Sequence, residues 1–428
     1  MKAIIKFFKR TYHNVLQSIA FYPVLISLLY GVAAVISLKI DSSELVAQLK
    51  EDASYLFIQD YDTVRAMLST FIGGIISLTV FSFSMVMVVL GQASSDFSPR
   101  LLPGLISNKK NQIILGTYVG TLLYCTLILL SLGAYGIDSS AVGLSAMLAA
   151  LMSILCIVLF IYFINSISSA IQIHNIIEGI YQRCDTYLED ELQEKDASKI
   201  ALQYIDTGGW KPIVTDKTGY FRGFDSVLMS SSVKEDDNQI EIVPYLNQHI
   251  WKGDVALRVK NDISEEAHKN LLFCMDISSD RHEDDKGIGG MIKLTEIAVK
   301  AMSPGINDPG TAIGAVTKLG SLLATFLRFP HMVSTTLDKG SMILIHKNIP
   351  AEELMRILVQ PIRLYSKKDS TVMYELIKAL QYVVSAPGIS NDHRKAVVKE
   401  LGALRSDLEK NIENDVDREN ILALFEEK

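Results

Sequence analysis

The chain has 428 residues, 49% of them hydrophobic, and a formal net charge of -7. Phosphate binding needs a concentrated basic surface, so this balance argues against a nucleic-acid partner. The cysteines Cys125, Cys156, Cys184 and Cys274 lie far apart without a CxxC pair, which argues against a zinc site or a disulfide framework and leaves reduced thiols.

Residues 1–19 form a basic amphipathic segment in which Lys2, Lys6, Lys9 and Arg10 stand without a carboxylate. Residues 20–171 hold apolar stretches at Ala20 to Leu38, Val64 to Gly91, Ile113 to Gly136 and Ala141 to Ser168. Roughly 20 apolar residues at 1.5 Å rise cross a ~30 Å hydrocarbon core, where only helices or closed barrels satisfy the backbone. Continuous apolarity without a two-residue alternation excludes the barrel. The expected membrane domain is an α-helical bundle of four spans, with membrane lipid as its surroundings.

The loops set the orientation. The second loop carries Arg100, Lys109 and Lys110 against Asp96, and with the basic N-terminus it faces the cytoplasm. The first loop, with Asp41, Glu44, Glu51, Asp52, Asp60 and Asp62 against Lys50, faces outward. Both termini are then cytoplasmic, and the expected location is the bacterial inner membrane. A late first span carrying Pro23, followed by Lys39 and a string of acids, does not read as a cleaved signal peptide.

The second span stands apart. Thr70, Ser77, Ser84 and Gly91 recur at seven-residue steps, with Gly73, Gly74 and Ser95 in the intervening turns, while the opposite side is Ile, Leu, Val and Met. Small and hydroxylated residues mark where helices approach closely in lipid, so one reading is a packing seam. The other is a water-lined pathway whose hydroxyls weakly coordinate a passing ion. The third span adds Gly116 and Gly120 as a GxxxG pair, a sign of tight helix contact. No span has a central charge, which weighs against a proton- or charge-coupled pump.

Residues 172–205 read as a helical extension of the fourth span. Ile173, Ile176, Ile177, Ile180, Cys184 and Leu188 keep three- and four-residue steps. Its apolar face packs either on its own soluble domain or into a collar between copies. A small β-rich region, 206–280, follows, with strands expected at Pro212 to Asp225, Gln239 to Leu246, Lys252 to Val259 and Leu271 to Ser278. Residues 281–428 turn mainly helical: Ile288 to Met302, Pro309 to Arg328, Ala351 to Tyr365, Ser370 to Ser385 and Asn391 onward, with one further strand at Ser341 to Ile345. The cytoplasmic part is thus α+β.

Ser303-Pro304-Gly305-Ile306-Asn307-Asp308-Pro309 is the sharpest local motif. A helix ends before Pro304, Gly305 and Asn307 suit positive φ, and Asp308 before Pro309 is an N-cap. A helix-turn-helix corner explains these residues. The same corner presents amides and oxygens suited to an anion or a hard cation. With Arg281, Asp284 and Asp285 it makes a candidate cytoplasmic ligand site. Asp284, Asp285, Asn307 and Asp308 are the candidate metal ligands, and no cofactor is expected beyond such a cation. A helix of about 15 residues is ~22 Å long, so both halves meet only across a subunit boundary or by folding back.

Phe81-Ser82-Phe83-Ser84, Gln92-Ala93-Ser94-Ser95-Asp96-Phe97-Ser98-Pro99-Arg100, Leu115-Gly116-Thr117, and Ile297-Ala298 with Ala301-Met302-Ser303-Pro304-Gly305-Ile306-Asn307-Asp308-Pro309-Gly310-Thr311-Ala312 closely resemble a widespread family of bacterial predicted membrane proteins. That family is known chiefly as a domain of unknown function. The resemblance implies an integral inner-membrane protein and supplies no activity. It also implies an Arg-Thr and a Gln-Asp pair before the penultimate helix, where this chain has Arg281-His282 and Asp284-Asp285.

Two classes of function follow. A homo-oligomeric ion channel with a cytoplasmic regulatory domain fits the hydroxylated span and the uncharged membrane interior, and the acidic first loop favours cations. A membrane-anchored enzyme would need a nucleophile and base constellation, and no GxSxG, HExxH, P-loop or Rossmann fingerprint occurs. A non-conducting signalling or scaffold protein is the further alternative.

Overall fold

The computed structural model describes residues 20–41, 43, 60–96, 109–134, 143–170, 172–193, 199–202, 205–230, 233, 237–281, 286–336 and 342–426. It divides into two compact units, Met1–Gln172 and Ile173–Lys428.

In the first unit the apolar stretches form α1 (Phe21–Asp41), α2 (Tyr61–Asp96), α3 (Lys109–Ala134) and α4 (Gly143–Ala170). All four are long and apolar enough to cross a membrane. They outrun the apolar residues because the i to i-4 ladder continues where side chains turn polar. Asp60 accepts from the Thr63 amide at 2.7 Å and so starts α2 ahead of its first apolar turn.

α3 is the hub, packing against α1, α2 and α4. A Cβ built on Gly116 would lie 3.0 Å from the Pro23 Cα, and one on Gly120 2.8 Å from the Tyr30 ring. Only hydrogen fits there, so α3 meets the α1 backbone at Pro23 and the Tyr30 ring, the tight contact that the GxxxG spacing predicts. At the C-terminal end of α1 a polar network joins three helices. Asp41 accepts from the Leu144 and Ser145 amides, capping α4, and Tyr124 of α3 donates to Ser37 Oγ at 2.8 Å.

The second unit opens with α5 (Ile173–Gln193), whose buried residues are Ile177, Ile180, Cys184 and Leu188. Its partners are α7 (Gly287–Ala301) and α8 (Pro309–Phe326). Cys184 donates to the Gly287 carbonyl, and Lys318 of α8 lies 4.2 Å over the Tyr181 ring and pairs with Glu178 at 2.8 Å. The apolar face of α5 is therefore covered by its own domain, which resolves the choice between that packing and a collar. α8 lies against α5, α7 and α10 (Ser370–Ser385), the last approaching over Gly320, where a Cβ would sit 2.8 Å from Ala379 Cβ. α9 (351–366) contains a π-turn at Met355–Val359, and Arg363 ties it to Glu400 and Asp407 of α11 (Asn391–Asn411). α12 (Asp415–Leu422) follows.

The β structure is β1 (Lys199–Leu202), β2 (Lys211–Val214), β3 (Gly219–Phe224), β4 (Gln239–Ile242), β5 (His249–Ile250), β6 (Val255–Val259), β7 (Met275–Ser278), β8 (Met332–Thr336) and β9 (Ile343–Lys347). A six-stranded sheet runs β1-β8-β9-β4-β6-β2, and a three-stranded sheet runs β5-β3-β7. Ile240, Ile242, Leu257, Val259 and Leu344 of the first sheet share a core with Phe221, Leu271 and Cys274.

Three expectations change. The helical extension is described to Gln193, and residues 199–202, expected within it, are a strand, since Lys199-Ile200-Ala201-Leu202 pairs with β8. Leu271 to Cys274 belong to α6 (Glu265–Cys274), because Ser264 accepts from the Ala267 amide and nucleates a helix; only Met275–Ser278 is extended. The β region is not contiguous, since the unexpected β8 joins β9, the strand expected near Ser341 to Ile345, in the larger sheet.

The α1–α3 seam makes a direct prediction. Gly120→Val drives two methyl groups into Tyr30 and lowers bundle stability by about 1–3 kcal/mol, the cost of overpacking. Thermal unfolding of the detergent-solubilised chain measures it, and an unchanged midpoint would remove this seam from the account of the bundle.

Candidate functional site

On α2 the residues Val64, Leu68, Ile75, Ser82 and Val89 are buried. Thr70, Ser77, Ser84 and Gly91 each stand two residues after one of the last four, about 200° around the helix, and all are exposed. Cβ atoms built on Gly73, Gly74 and Gly91 meet nothing within 4 Å. The small and hydroxylated stripe thus faces away from the other helices of its unit. Thr70 donates to the Ala66 carbonyl at 2.8 Å and Ser77 to the Gly73 carbonyl at 3.0 Å. Their protons are engaged along the helix, and the remaining oxygen lone pairs stay available on the exposed side. Ser95 belongs to the same helix; its side chain lies outside the described residues.

The acids of the first loop do not share one setting. Asp41 is 4% exposed and caps α4, so it is not on display at a mouth. Asp60 is exposed as the cap of α2, where the Thr63 hydroxyl and amide hold its carboxyl below the usual carboxylate range. Asp62 is exposed one residue into the helix; Glu44, Glu51 and Asp52 lie outside the described residues.

The corner has the predicted local structure. Asn307 sits at φ 49°, whereas Gly305 does not take a positive φ. The Asp308 amide donates to the Ala301 carbonyl at 2.8 Å, closing the end of α7. Both Asp308 carboxylate oxygens are engaged, one by the Thr311 amide at 3.1 Å and the other by its hydroxyl at 2.6 Å. Those bonds hold the exposed Asp308 carboxyl below its ordinary range. Asp284 and Asp285 lie outside the described residues, and among the described residues no three His, Cys, Asp or Glu side chains converge as a metal cage. Arg281 makes its cation contact with the Tyr220 ring, 5.0 Å from the centroid.

A buried charge cluster escapes the sequence pattern altogether. Glu241, on β4, is 0% exposed and pairs with Arg258 on β6 at 3.0 Å and with Lys347 on β9. Burial alone would raise its carboxyl, but hydrogen bonds from Lys347, Thr207 and Arg258 outweigh that and hold it below the ordinary value. In Gln239-Ile240-Glu241-Ile242 the alternation marks Glu241 as facing away from the apolar side, which normally means solvent. A covering layer built from distant segments is not visible in that alternation. A lone Glu between two Ile residues, with Arg258 and Lys347 in other strand-like runs, was the available signal.

A unit of four apolar helices joined to an α+β unit defines a multi-pass membrane protein. The chain belongs to the family described as "Predicted membrane protein (DUF2254)", whose model matches residues 17–382. It is similar to an uncharacterized protein of Mycobacterium tuberculosis (strain H37Rv), with 21% identity over 372 residues, 84% of this chain and 69% of the relative. An uncharacterized protein of Mycobacterium bovis gives the same figures, 21% identity over 84% of this chain and 69% of its own length. No solved structure matches.

Glu241→Ala leaves Arg258 and Lys347 facing each other without their shared carboxylate and should cost about 3–5 kcal/mol. Because the folded carboxyl is depressed, its contribution is complete above the unfolded value and fades as pH falls through the folded one. Wild-type stability should therefore drop below about pH 4, while the variant loses that part of the slope. Unfolding of the full chain across pH, followed by tryptophan fluorescence, reads both. At the corner, Asp308→Ala should cost about 0.5–2 kcal/mol and Asp308→Asn only a few tenths, since Asn caps nearly as well. A large loss in Asp308→Asn would mean that the carboxylate charge does more than cap.

Proposed function

We propose that the protein is a homo-oligomeric ion channel of the bacterial inner membrane, selective for cations, with the α+β unit as its cytoplasmic regulatory domain. The observation that supports this reading is the exposed stripe Thr70, Ser77, Ser84 and Gly91, opposite the buried side of α2. Isolated hydroxyls facing lipid gain nothing from it, whereas the same oxygens around a symmetry axis offer weak, exchangeable coordination. Closed rings are the usual way for identical chains to bring one face together. The described α2 is 36 residues long, enough to line a pathway across the whole hydrocarbon layer. Exposed Asp60 and Asp62 at its N-terminal end favour cations over anions at that mouth. The regulatory part of the reading assigns Asp284, Asp285, Asn307 and Asp308 to a cytoplasmic cation site between subunits. Its support is the exposure of the capped corner.

Cysteine accessibility tests the pathway. With the protein in liposomes, cysteines at positions 77 and 84 should react with small water-soluble thiol reagents and block cation flux. A cysteine replacing Leu78, which packs against the bundle, should do neither. Equal protection at all three positions, with no flux from the wild type, would leave the stripe as a dry seam between copies and favour the non-conducting scaffold.

A further inference from the structure

We propose that one face of the three-stranded sheet binds a nucleoside diphosphate, with its base stacked on Trp251 and its terminal phosphate held by Arg281. The site is built from a row of π-systems that crosses the strands. Tyr220 on β3 stands in register with His249 on β5, their rings 5.0 Å apart at 82°. Trp251, just past β5, lies edge-on to His249 at 4.4 Å and 63°. On the other side Tyr220 is in register with Ser278 of β7, and three residues later the Arg281 guanidinium lies 5.0 Å over the Tyr220 ring.

The row is fixed from beneath. A Cβ on Gly219, at φ 156°, would lie 2.5 Å from the Ser278 carbonyl oxygen, so β3 and β7 close tightly beside Tyr220. Phe221, the next residue, is 3% exposed and anchors the opposite face of β3 in the core.

Cross-strand aromatic pairing accounts for Tyr220 and His249 as sheet stabilisers. It leaves two observations without a cause. Trp251 is 64% exposed at the end of the row, an open indole continuous with ordered rings. The Arg281 Nε is buried and has no hydrogen-bond acceptor among the described residues, an arrangement that costs free energy unless something supplies one. A phosphate supplies it, and accepts the guanidinium fork in the geometry that arginine recognises best. A planar base supplies the partner for the indole, since stacking on an aromatic face is tolerant of base identity. The Glu353 carboxylate is engaged by Arg356 and the Tyr245 hydroxyl, and among the described residues Arg281 forms no ion pair, so its charge is open to an anion. Three steps of 4.4–5.0 Å separate indole from guanidinium, a span matched by a base at one end and a terminal phosphate at the other. The inference does not depend on ion conduction.

The chain has two tryptophans, so Trp210→Phe leaves Trp251 as the sole indole. In that background, purified full-length protein in detergent is titrated with ADP and GDP, with ribose 5-phosphate and adenosine as truncated probes, and calorimetry runs alongside. Saturable quenching by both diphosphates is expected, with adenosine and ribose 5-phosphate each much weaker. By calorimetry Trp251→Ala and Arg281→Gln should each weaken binding about tenfold or more, while Trp251→Phe stays within a few-fold. Should Arg281→Gln fail to fold, Arg281→Lys, which keeps the charge and loses Nε, should show the same direction of change. No saturable response at millimolar diphosphate, an equal response to ribose 5-phosphate, or wild-type affinity in a folded Arg281 variant would each overturn the proposal.

Discussion

Close approach of α1 to α3 over Gly116 and Gly120 is the contact on which the membrane unit depends. Lipid tails are as apolar as leucine side chains, so burial by itself gives two helices no reason to associate there. Association comes from dense packing and from polar groups that find partners. Where Pro23 and Tyr30 fill the spaces above two missing side chains, α1 and α3 reach a contact that neither could make elsewhere along its length. Once α3 is held this way, its remaining sides meet α2 and α4. The network of Asp41, Ser145, Tyr124 and Ser37 then pins the end of α1 and the start of α4 to the middle of α3, satisfying a buried carboxylate with the free amides of a helix start.

That arrangement decides which side of α2 remains available. The Val64, Leu68, Ile75, Ser82 and Val89 side is committed to the bundle, and the hydroxylated side has no neighbour among the described residues of its unit. A seam with the other described helices of the unit therefore does not account for the stripe. What is left is an exposed polar surface on an apolar helix, and membrane proteins cover such surfaces with protein or with water.

The second unit solves a different problem, since water drives its burial. α8 plays the part that α3 plays in the membrane unit, with α5, α7 and α10 around it and Gly320 admitting the closest neighbour. The sheets add polar chemistry that the helices lack. Glu241 is a full charge in the middle of a six-stranded sheet, tolerable because strands before and after the helices supply Arg258 and Lys347 on either side. The aromatic row of the smaller sheet is its counterpart nearer the surface, half-buried at Tyr220 and His249, exposed at Trp251, and ending in the Arg281 cation.

The sequence alone determined the membrane helices, the α+β nature of the rest, the helix-turn-helix corner and the tight third span. Each is written in local terms: unbroken apolar length, alternating or helical period, Asp308 before Pro309, glycines four residues apart. It could not say that Asp41 turns inward to cap α4, because that carboxylate is satisfied by amides about a hundred residues away. Nor could it place β9 between β8 and β4, or bury Glu241, because strand partners and covering layers come from segments distant in the chain. The Trp251, His249, Tyr220 and Arg281 row has the same origin, three stretches that carry no joint pattern until the sheet sets them side by side. Local periodicity reports which face of an element is apolar; only the packed structure decides what that face and its opposite will meet.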